Sequence, residues 1–260
     1  MNIIIFLIKK LPDRTYASLK NLHFRLQGKK IRFLARDGVI EVFANNLLWT
    51  THRGRAHLYT NGLLNRGAAI GKSYLLENID FEDGDTVVDC GANMGDLQLW
   101  FEDKLIKIKY LGIEPNPLDF KCLAKNMLLD SSCINFALWN ESGKLRFWID
   151  SRSASSSLIQ PPTYSEITDV RAIRLDELQG LGRIKLLKVE GEGAEPEILL
   201  GAKGILNNIQ YISVDVGPER GVDQVPTRSE VISFLQENNF TIVLQNPYHR
   251  KTVLFKNSTN

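Results

Sequence analysis

From residue 86 onward, short apolar runs alternate with stretches of helical character. The apolar runs cover 86–90, 109–113, 133–138, 185–189 and 210–216, with helix-length segments at 95–105, 117–129 and 196–206 between them. Continuous apolar strands separated by helix-length segments predict βαβ units and a parallel sheet covered on both faces. Pro196 suits the first turn of a helix. The chain closes differently: two strand-like runs, 240–244 and 252–255, are joined by residues 245–251. So short a link cannot hold a crossover helix, so these last strands must run antiparallel. A mainly parallel sheet finished by an antiparallel hairpin departs from an NAD-binding Rossmann domain, which closes with parallel crossovers.

Ahead of this pattern, 31–34 and 39–43 are β-prone and flank Asp37-Gly38, a favoured hairpin turn pair. A helix-prone stretch follows over 71–78, then the polar turn Glu82-Asp83-Gly84-Asp85. The expected division is an N-terminal accessory segment over 1–82, helix plus hairpin, and a main α/β domain over 83–260. The Ser-rich stretch 151–168, with Pro161-Pro162, interrupts the alternation before a further strand-like run at 170–175. Loops of that length in compact domains commonly act as lids or substrate loops.

Composition is that of a globular chain: 260 residues, 43% hydrophobic and 24% charged, which excludes a disordered or collagen-like protein. The apolar run at residues 3–8 is six residues long before Lys9 and Lys10. A membrane span needs about 20 apolar residues. The run also lacks the n-region and cleavage site of a signal peptide. Three irregularly spaced cysteines, Cys90, Cys122 and Cys133, suit neither a disulfide framework nor a zinc site, so a reducing cytoplasm is expected. The four histidines share no metal-like spacing, and the sequence leaves any metal unassigned.

The net charge of +2 conceals an asymmetry, +8 over residues 1–60 and −6 over the rest. Such a cluster is usually a solvated face. Beside the short apolar run it also suits peripheral contact with an anionic membrane. No helix-turn-helix, zinc-finger or RNP signature accompanies it, so no nucleic-acid partner is expected.

The candidate chemistry centres on Val87-Val88-Asp89-Cys90-Gly91-Ala92-Asn93-Met94-Gly95-Asp96. A buried strand runs into a glycine-bearing turn and then a helix, with Asp89 at the strand's C-terminal edge. Ligands of open parallel sheets bind at that edge, near the point where strand order reverses. The Gly-x-x-x-Gly spacing is not the Gly-x-Gly-x-x-Gly of dinucleotide sites, and no Walker A lysine follows. An acid two before the first glycine suits a cationic or amine-bearing ligand better than a pyrophosphate. Glu114 closes the next strand, nineteen residues past Gly95, and leads into Pro115-Asn116-Pro117. A carboxylate there accepts hydrogen bonds from vicinal ribose hydroxyls.

Val-x-Asp-x-Gly-Ala-Asn-x-Gly followed by Glu-Pro-Asn-Pro resembles the S-adenosylmethionine-dependent FkbM-type methyltransferases. The resemblance continues through Asn135-Phe136-Ala137-Leu138, Arg174-Leu175-Asp176-Glu177-Leu178 and Leu187-Lys188-Val189-Glu190-Gly191-Glu192-Gly193-Ala194-Glu195, over roughly residues 85–217. It implies the seven-stranded class I methyltransferase sheet with an antiparallel last strand. It also implies S-adenosyl-L-methionine as cofactor, with Asp89, Gly91, Asn93 and Gly95 along its methionine and ribose. Glu114 would hold the ribose, Asn116 shares that motif, and Ala137 sits in a turn bordering adenine. The family's fourth motif usually reads Lys-x-Asp-x-Glu-Gly-Ala-Glu; here Glu190 takes the Asp position and Gly191 the following apolar one.

An alcohol acceptor must lose its proton during methyl transfer, so a nearby carboxylate helps. Glu190 and Glu192, two apart at a strand end, are expected to project to one side as the catalytic acids. Glu195 and Glu197 suit a helix N-terminus. Asp215, Glu219 and Arg220, at the end of a later strand, suit a hydroxyl-rich acceptor. The reading is an O-methyltransferase acting on a sugar, glycan or glycosylated metabolite. Its rivals are an NAD(P)-dependent oxidoreductase and a non-catalytic nucleotide-binding module of the same fold.

Overall fold

The computed structural model describes residues 11–150, 156–246 and 251–259; the apolar run at 3–8 lies outside them. The main sheet contains β4 (Thr86–Cys90), β5 (Lys109–Ile113), β6 (Ser131–Ile134), β10 (Ile184–Val189), β11 (Ile209–Asp215), β14 (Phe240–Gln245) and β15 (Thr252–Asn257). Its order is β14-β15-β11-β10-β4-β5-β6. All neighbours pair in parallel except β15, which runs antiparallel to both β11 and β14. This is the mainly parallel, seven-stranded sheet with a terminal antiparallel hairpin that the apolar pattern and the resemblance called for. The chain builds outward from β4 to β5 and β6, then returns to β10 on β4's other side. The order therefore reverses between β4 and β10, and their C-terminal ends frame a crevice. Val87, Val88, Leu186, Leu187, Ile212 and Val214 are fully buried, as expected of strands covered on both faces.

The helices α3 (Gln98–Lys104), α4 (Pro117–Lys125), α5 (Glu195–Leu200) and α6 (Arg228–Glu237) follow β4, β5, β10 and the β12–β13 ribbon (Pro218–Arg220, Val225–Pro226). Asn116 caps α4, its side chain accepting from the Leu118 amide at 3.0 Å, with Pro117 opening the helix. The run at 133–138 divides in two. Ile134 ends β6, while β7 (Ala137–Leu138) joins β8 (Gly143–Ile149) and β9 (Glu166–Ile173) in a separate three-stranded sheet. β8 and β9 form an antiparallel hairpin, so the Ser-rich insert is the connection at its tip.

The N-terminal segment contains α1 (Asp13–Leu26), β1 (Arg32–Arg36), β2 (Val39–Ala44), β3 (Leu47–Thr51) and α2 (Leu63–Ser73). Asp37 and Gly38, both with positive φ, make the expected turn. Asn45 and Asn46, also at positive φ, turn the chain again into β3, which the sequence reading did not foresee.

This segment is welded to the sheet domain. One buried cluster joins Phe33, Val42, Trp49 and Leu63 to Met94, Leu99 and Cys122. Asn126 accepts from the Thr50 amide at 2.6 Å and donates to the carbonyls of Thr50 and Met94. Helices α2 and α3 press together at glycines: a Cβ on Gly67 would lie 2.5 Å from the Leu99 carbonyl carbon, and one on Gly71 2.0 Å from the Trp100 ring.

Candidate active site

The crevice holds a cavity of about 230 Å³ where the strand order reverses. Strand ends supply Asp89, Gly91, Asn93, Glu114 and Glu190 to its wall, and Glu192 comes from the turn beyond β10. Phe136, Ala137 and Leu138 contribute from the β6–β7 turn.

Gly91 has φ +70, and a Cβ there would lie 2.1 Å from the Glu190 carbonyl oxygen. Only glycine lets the ends of β4 and β10 approach so closely. Glu114 is buried, and both its oxygens are held: Oε1 accepts from the Asn116 amide and Oε2 from the Asn93 amide, each at 2.8 Å. Burial, with the nearby charge of Asp119, raises its carboxyl to about 8 against the pull of those amides. Asn93, itself at φ +53, keeps a buried side-chain Oδ1 with no hydrogen-bond partner among the described residues. That orphaned acceptor on the cavity wall is suited to a ligand's ammonium or hydroxyl.

Lys188 is the centre of a buried charge cluster. Its Nζ donates to the carbonyls of Cys90 at 3.1 Å and Gly91 at 2.8 Å. It also lies 3.0 Å from Asp89 Oδ1 and 3.2 Å from Glu190 Oε2. Burial alone would pull the ammonium down, but the two carboxylates outweigh it and hold Lys188 above the ordinary lysine range. Asp89 accepts from the Tyr110 hydroxyl at 2.7 Å; burial raises its carboxyl, while Lys188 and Tyr110 oppose the rise. Glu190 Oε2 also accepts from the Tyr74 hydroxyl. Asp89 therefore anchors the cluster, and Glu190 faces the cavity with its orientation fixed.

Glu190 and Glu192 do reach one cavity, but not by strand alternation. β10 ends at Val189, and Glu192 has φ +52 within a turn. Glu195 builds that turn: Oε1 accepts from the amides of Gly191 at 2.9 Å and Gly193 at 3.1 Å, and Oε2 accepts from Thr227 at 3.1 Å. Its burial raises the carboxyl to about 7. The Ser157 hydroxyl donates to the Glu192 carbonyl at 2.9 Å, and Ser156 and Leu158 line the cavity, so the insert does reach the site.

Other expected residues lie elsewhere. Gly95 is off the cavity; at φ +84 it packs beneath Gln98 and Leu123. Asn116 is the α4 cap, and only its backbone amide reaches Glu114. Asp215, Glu219 and Arg220 are also off the wall. Asp215 accepts from the Gly217 amide at 3.1 Å. Arg220 pairs through two nitrogens with Glu197 at 2.6 and 2.9 Å and donates to the Gly193 carbonyl, so it braces the turn after β10.

The far wall was missed altogether. Arg55, Leu58, Arg66, Ile70 and Tyr74 come from the N-terminal segment. Buried Asp96 ties Arg66 and this segment to the sheet domain, accepting from Tyr59 at 2.6 Å, Trp49 at 3.1 Å and Arg66 at 2.6 Å. Lys188 had a visible signal, a cation one residue from the apolar end of β10, since buried lysines are nearly always paired. Nothing in the sequence placed Tyr74 opposite Glu190, 116 residues away. Among the described residues no group of three His, Cys, Asp or Glu is arranged to hold a metal ion. None of their helices is long and apolar enough to cross a membrane.

A doubly wound, mainly parallel seven-stranded sheet with an antiparallel strand, and a buried carboxylate beside a glycine turn at its switch point, is the frame of a class I methyltransferase-like α/β protein. The chain belongs to the FkbM methyltransferase family: the model of the methyltransferase FkbM domain matches residues 89–242. Methyltransferase sdnD of Sordaria araneosa is 27% identical over 195 residues, 60% of this chain and 73% of that protein. Among solved structures, M. capricolum TrmK in complex with S-adenosyl-homocysteine is 11% identical, with a TM-score of 0.41 over 75% of this chain and 67% of that one. The ribosomal protein L11 methylase of Lactobacillus delbrueckii is 13% identical, with a TM-score of 0.41 over 74% and 76%. These two scores bear on neither substrate nor mechanism. Family membership removes the oxidoreductase alternative, and the cofactor it implies is S-adenosylmethionine. The residues fit that group: Glu114 for ribose hydroxyls, orphaned Asn93 for a donor, and the apolar Phe136–Leu138 turn for a base.

Proposed function

We propose that this methyltransferase acts on oxygen, moving a methyl group from S-adenosylmethionine to a hydroxyl of a sugar, glycan or glycosylated metabolite. When bound, the cofactor supplies an electrophilic methyl group on a positively charged sulfur. The chain's residues bind, orient and accept the proton. Glu114 and Asn93 hold the nucleoside end, and the turn Glu190–Gly193 faces the acceptor. As the acceptor oxygen is alkylated, its proton passes to Glu190.

The observation that carries the reading is the Glu190 carboxylate, at the cavity wall and immobilised by Tyr74 and Lys188. A base locked in position spends little of its effect on ordering, and positioning is much of the catalysis in an in-line displacement. Glu192, Tyr74 and Arg55 around it are groups that hydrogen-bond hydroxyl-rich ligands. The free thiols Cys90, Cys122 and Cys133 suit a reducing, cytoplasmic setting.

The test is mass spectrometry of cell-envelope and secreted glycans from cells with the protein, without it, and with Glu190→Gln. The expected result is that methylated species fall by one methylene mass in the second and third cases. Persistence of every methylated glycan without the protein would retire the glycan assignment. For Glu190→Gln a loss of roughly 10²–10⁴-fold in turnover is expected, with S-adenosylhomocysteine binding retained.

A further inference from the structure

Between β3 and the end of α2 the chain carries three arginines, Arg53, Arg55 and Arg66. Two of them have protein partners. Arg53 lies 3.5 Å from Asp13 and stacks over the Tyr16 ring. Arg66 meets Asp96 at 2.6 Å. Arg55 differs. It is half-buried and lines the active-site cavity, yet its side chain makes no hydrogen bond or ion pair among the described residues. Its backbone is fixed: the amide donates to the His52 carbonyl and the carbonyl accepts from the Leu58 amide, each at 3.0 Å. The turn is held by its main chain, and the guanidinium is left to the cavity.

A guanidinium is always charged, and a charge drawn partly out of water calls for a counter-charge. The other two cations of the cavity wall already have theirs. Lys188 stands between Asp89 and Glu190, and Arg66 against Asp96. The cofactor is a poor source of the missing anion, because its carboxylate arrives with its own ammonium and with a cationic sulfur. The acceptor is then the occupant that brings net negative charge. One guanidinium fork matches the two oxygens of one carboxylate. A dianionic phosphate would add a second charge to a wall that also carries Glu190 and Glu192, with no further uncommitted cation to meet it.

We propose that the acceptor is an acidic sugar, a uronate residue whose carboxylate is held by Arg55 while one of its hydroxyls takes the methyl group. This rests on the sugar O-methylation proposed above and narrows it. Tyr74 of the same segment bonds Glu190, so the anion holder and the base share one cavity. In the transfer the bond between the methyl carbon and sulfur breaks, and a carbon–oxygen bond forms at the hydroxyl. The hydroxyl proton passes to Glu190, and the uronate carboxylate is unchanged. The product is a methyl ether, not an ester.

Glycans from cells with and without the protein are treated with carbodiimide and borodeuteride, which turns each uronate into a neutral sugar carrying two deuterium atoms. They are then hydrolysed for mass spectrometry. The methylated residue that disappears without the protein is expected to carry the deuterium label. Loss of an unlabelled, neutral methylated sugar would overturn this inference and leave the glycan reading standing; no loss at all would retire both. A methyl group released by mild base, the mark of an ester, would also overturn it. The purified full chain and Arg55→Met are then assayed on glycan from the cells that lack the protein. KM is expected to rise about 10–100-fold in the variant, and Arg55→Lys should recover part of the loss. Reducing the glycan carboxylates should raise the parent's KM by a similar factor and the Arg55→Met value no further. Affinities for S-adenosylhomocysteine and methylthioadenosine should match the parent's, which also verifies the fold. A drop for S-adenosylhomocysteine alone would assign Arg55 to the cofactor's carboxylate, and an unchanged KM would deny it an anion. Either result overturns the proposal.

Discussion

The cavity has two walls of different origin. The sheet-side wall comes from the ends of β4, β5 and β10, where backbone groups place the chemistry: Glu114 is held by two amides and Lys188 by two carbonyls. The other wall comes from the N-terminal segment, where Arg66 is held by the Asp96 side chain, Tyr74 by its bond to Glu190, and α2 by glycine packing against α3. The first wall is a consequence of sheet topology. The second is an addition to it. The sheet-side wall thus follows from topology while a separate element completes the cavity, the two meeting at Tyr74–Glu190 and Arg66–Asp96.

The sharpest way to break this division is Asp96→Ala, which strands the buried Trp49 and Tyr59 donors and removes the carboxylate partner of half-buried Arg66. A loss of about 3–5 kcal/mol is expected from urea unfolding, because removing one member of a buried ionic network leaves the others uncompensated. A loss below about 1 kcal/mol would mean that the second wall is held in some other way. Gly71→Ala drives a methyl group into the Trp100 ring and should cost about 1–3 kcal/mol, with α2 displaced. Cofactor affinity should survive that change better than turnover. A smaller effect is expected for Tyr74→Phe, which removes one hydrogen bond to Glu190: about 1 kcal/mol, or a fivefold loss in kcat. S-adenosylhomocysteine should bind it unchanged, and an equal loss in affinity would mean that the walls are not separate.

Changes of pH act on the first wall alone. Glu114 sits at about 8 in the fold, raised chiefly by burial, so the native state keeps a proton that the unfolded chain releases near 4.5. Its contribution is complete below the unfolded value and is lost as pH rises through about 8. Glu195, at about 7, acts in the same direction over a narrower window. Unfolding midpoints of the ligand-free protein should therefore fall between pH 5 and 8, less steeply in Glu114→Gln. Ribose hydroxyls need the ionised carboxylate as acceptor, so cofactor affinity should move oppositely, rising by up to about tenfold per pH unit toward 8. A flat affinity profile would detach Glu114 from the ribose.

The sheet was legible because its signals are local. Residues 86–90 and 109–113 fill their strands as read, and the short link after 245 left only an antiparallel closure. Glu114, Gly91 and Asn93 were legible for the same reason, each being a strand end or turn within a short motif. The segment 71–78 shows the opposite case. Helix α2 actually spans Leu63–Ser73, and Gly67 and Gly71, which weaken a helical reading, are there because α3 leaves no room for a Cβ. Arg220 misled because its sequence neighbour Glu219 suggested one site, while its partner is Glu197 on another element. Tyr74 and Asp96 act through contacts that only the assembled fold creates.

The central claim is that Glu114 and its neighbours receive the adenosyl group at the ends of β4 and β5. Titration calorimetry of S-adenosylhomocysteine into the parent chain and into Glu114→Ala, with circular dichroism to verify the fold, tests it directly. The expected result is binding by the parent and an affinity lower by about 10–100-fold in the variant, the worth of hydrogen bonds to a charged group. Equal affinity in a folded Glu114→Ala protein would contradict the account.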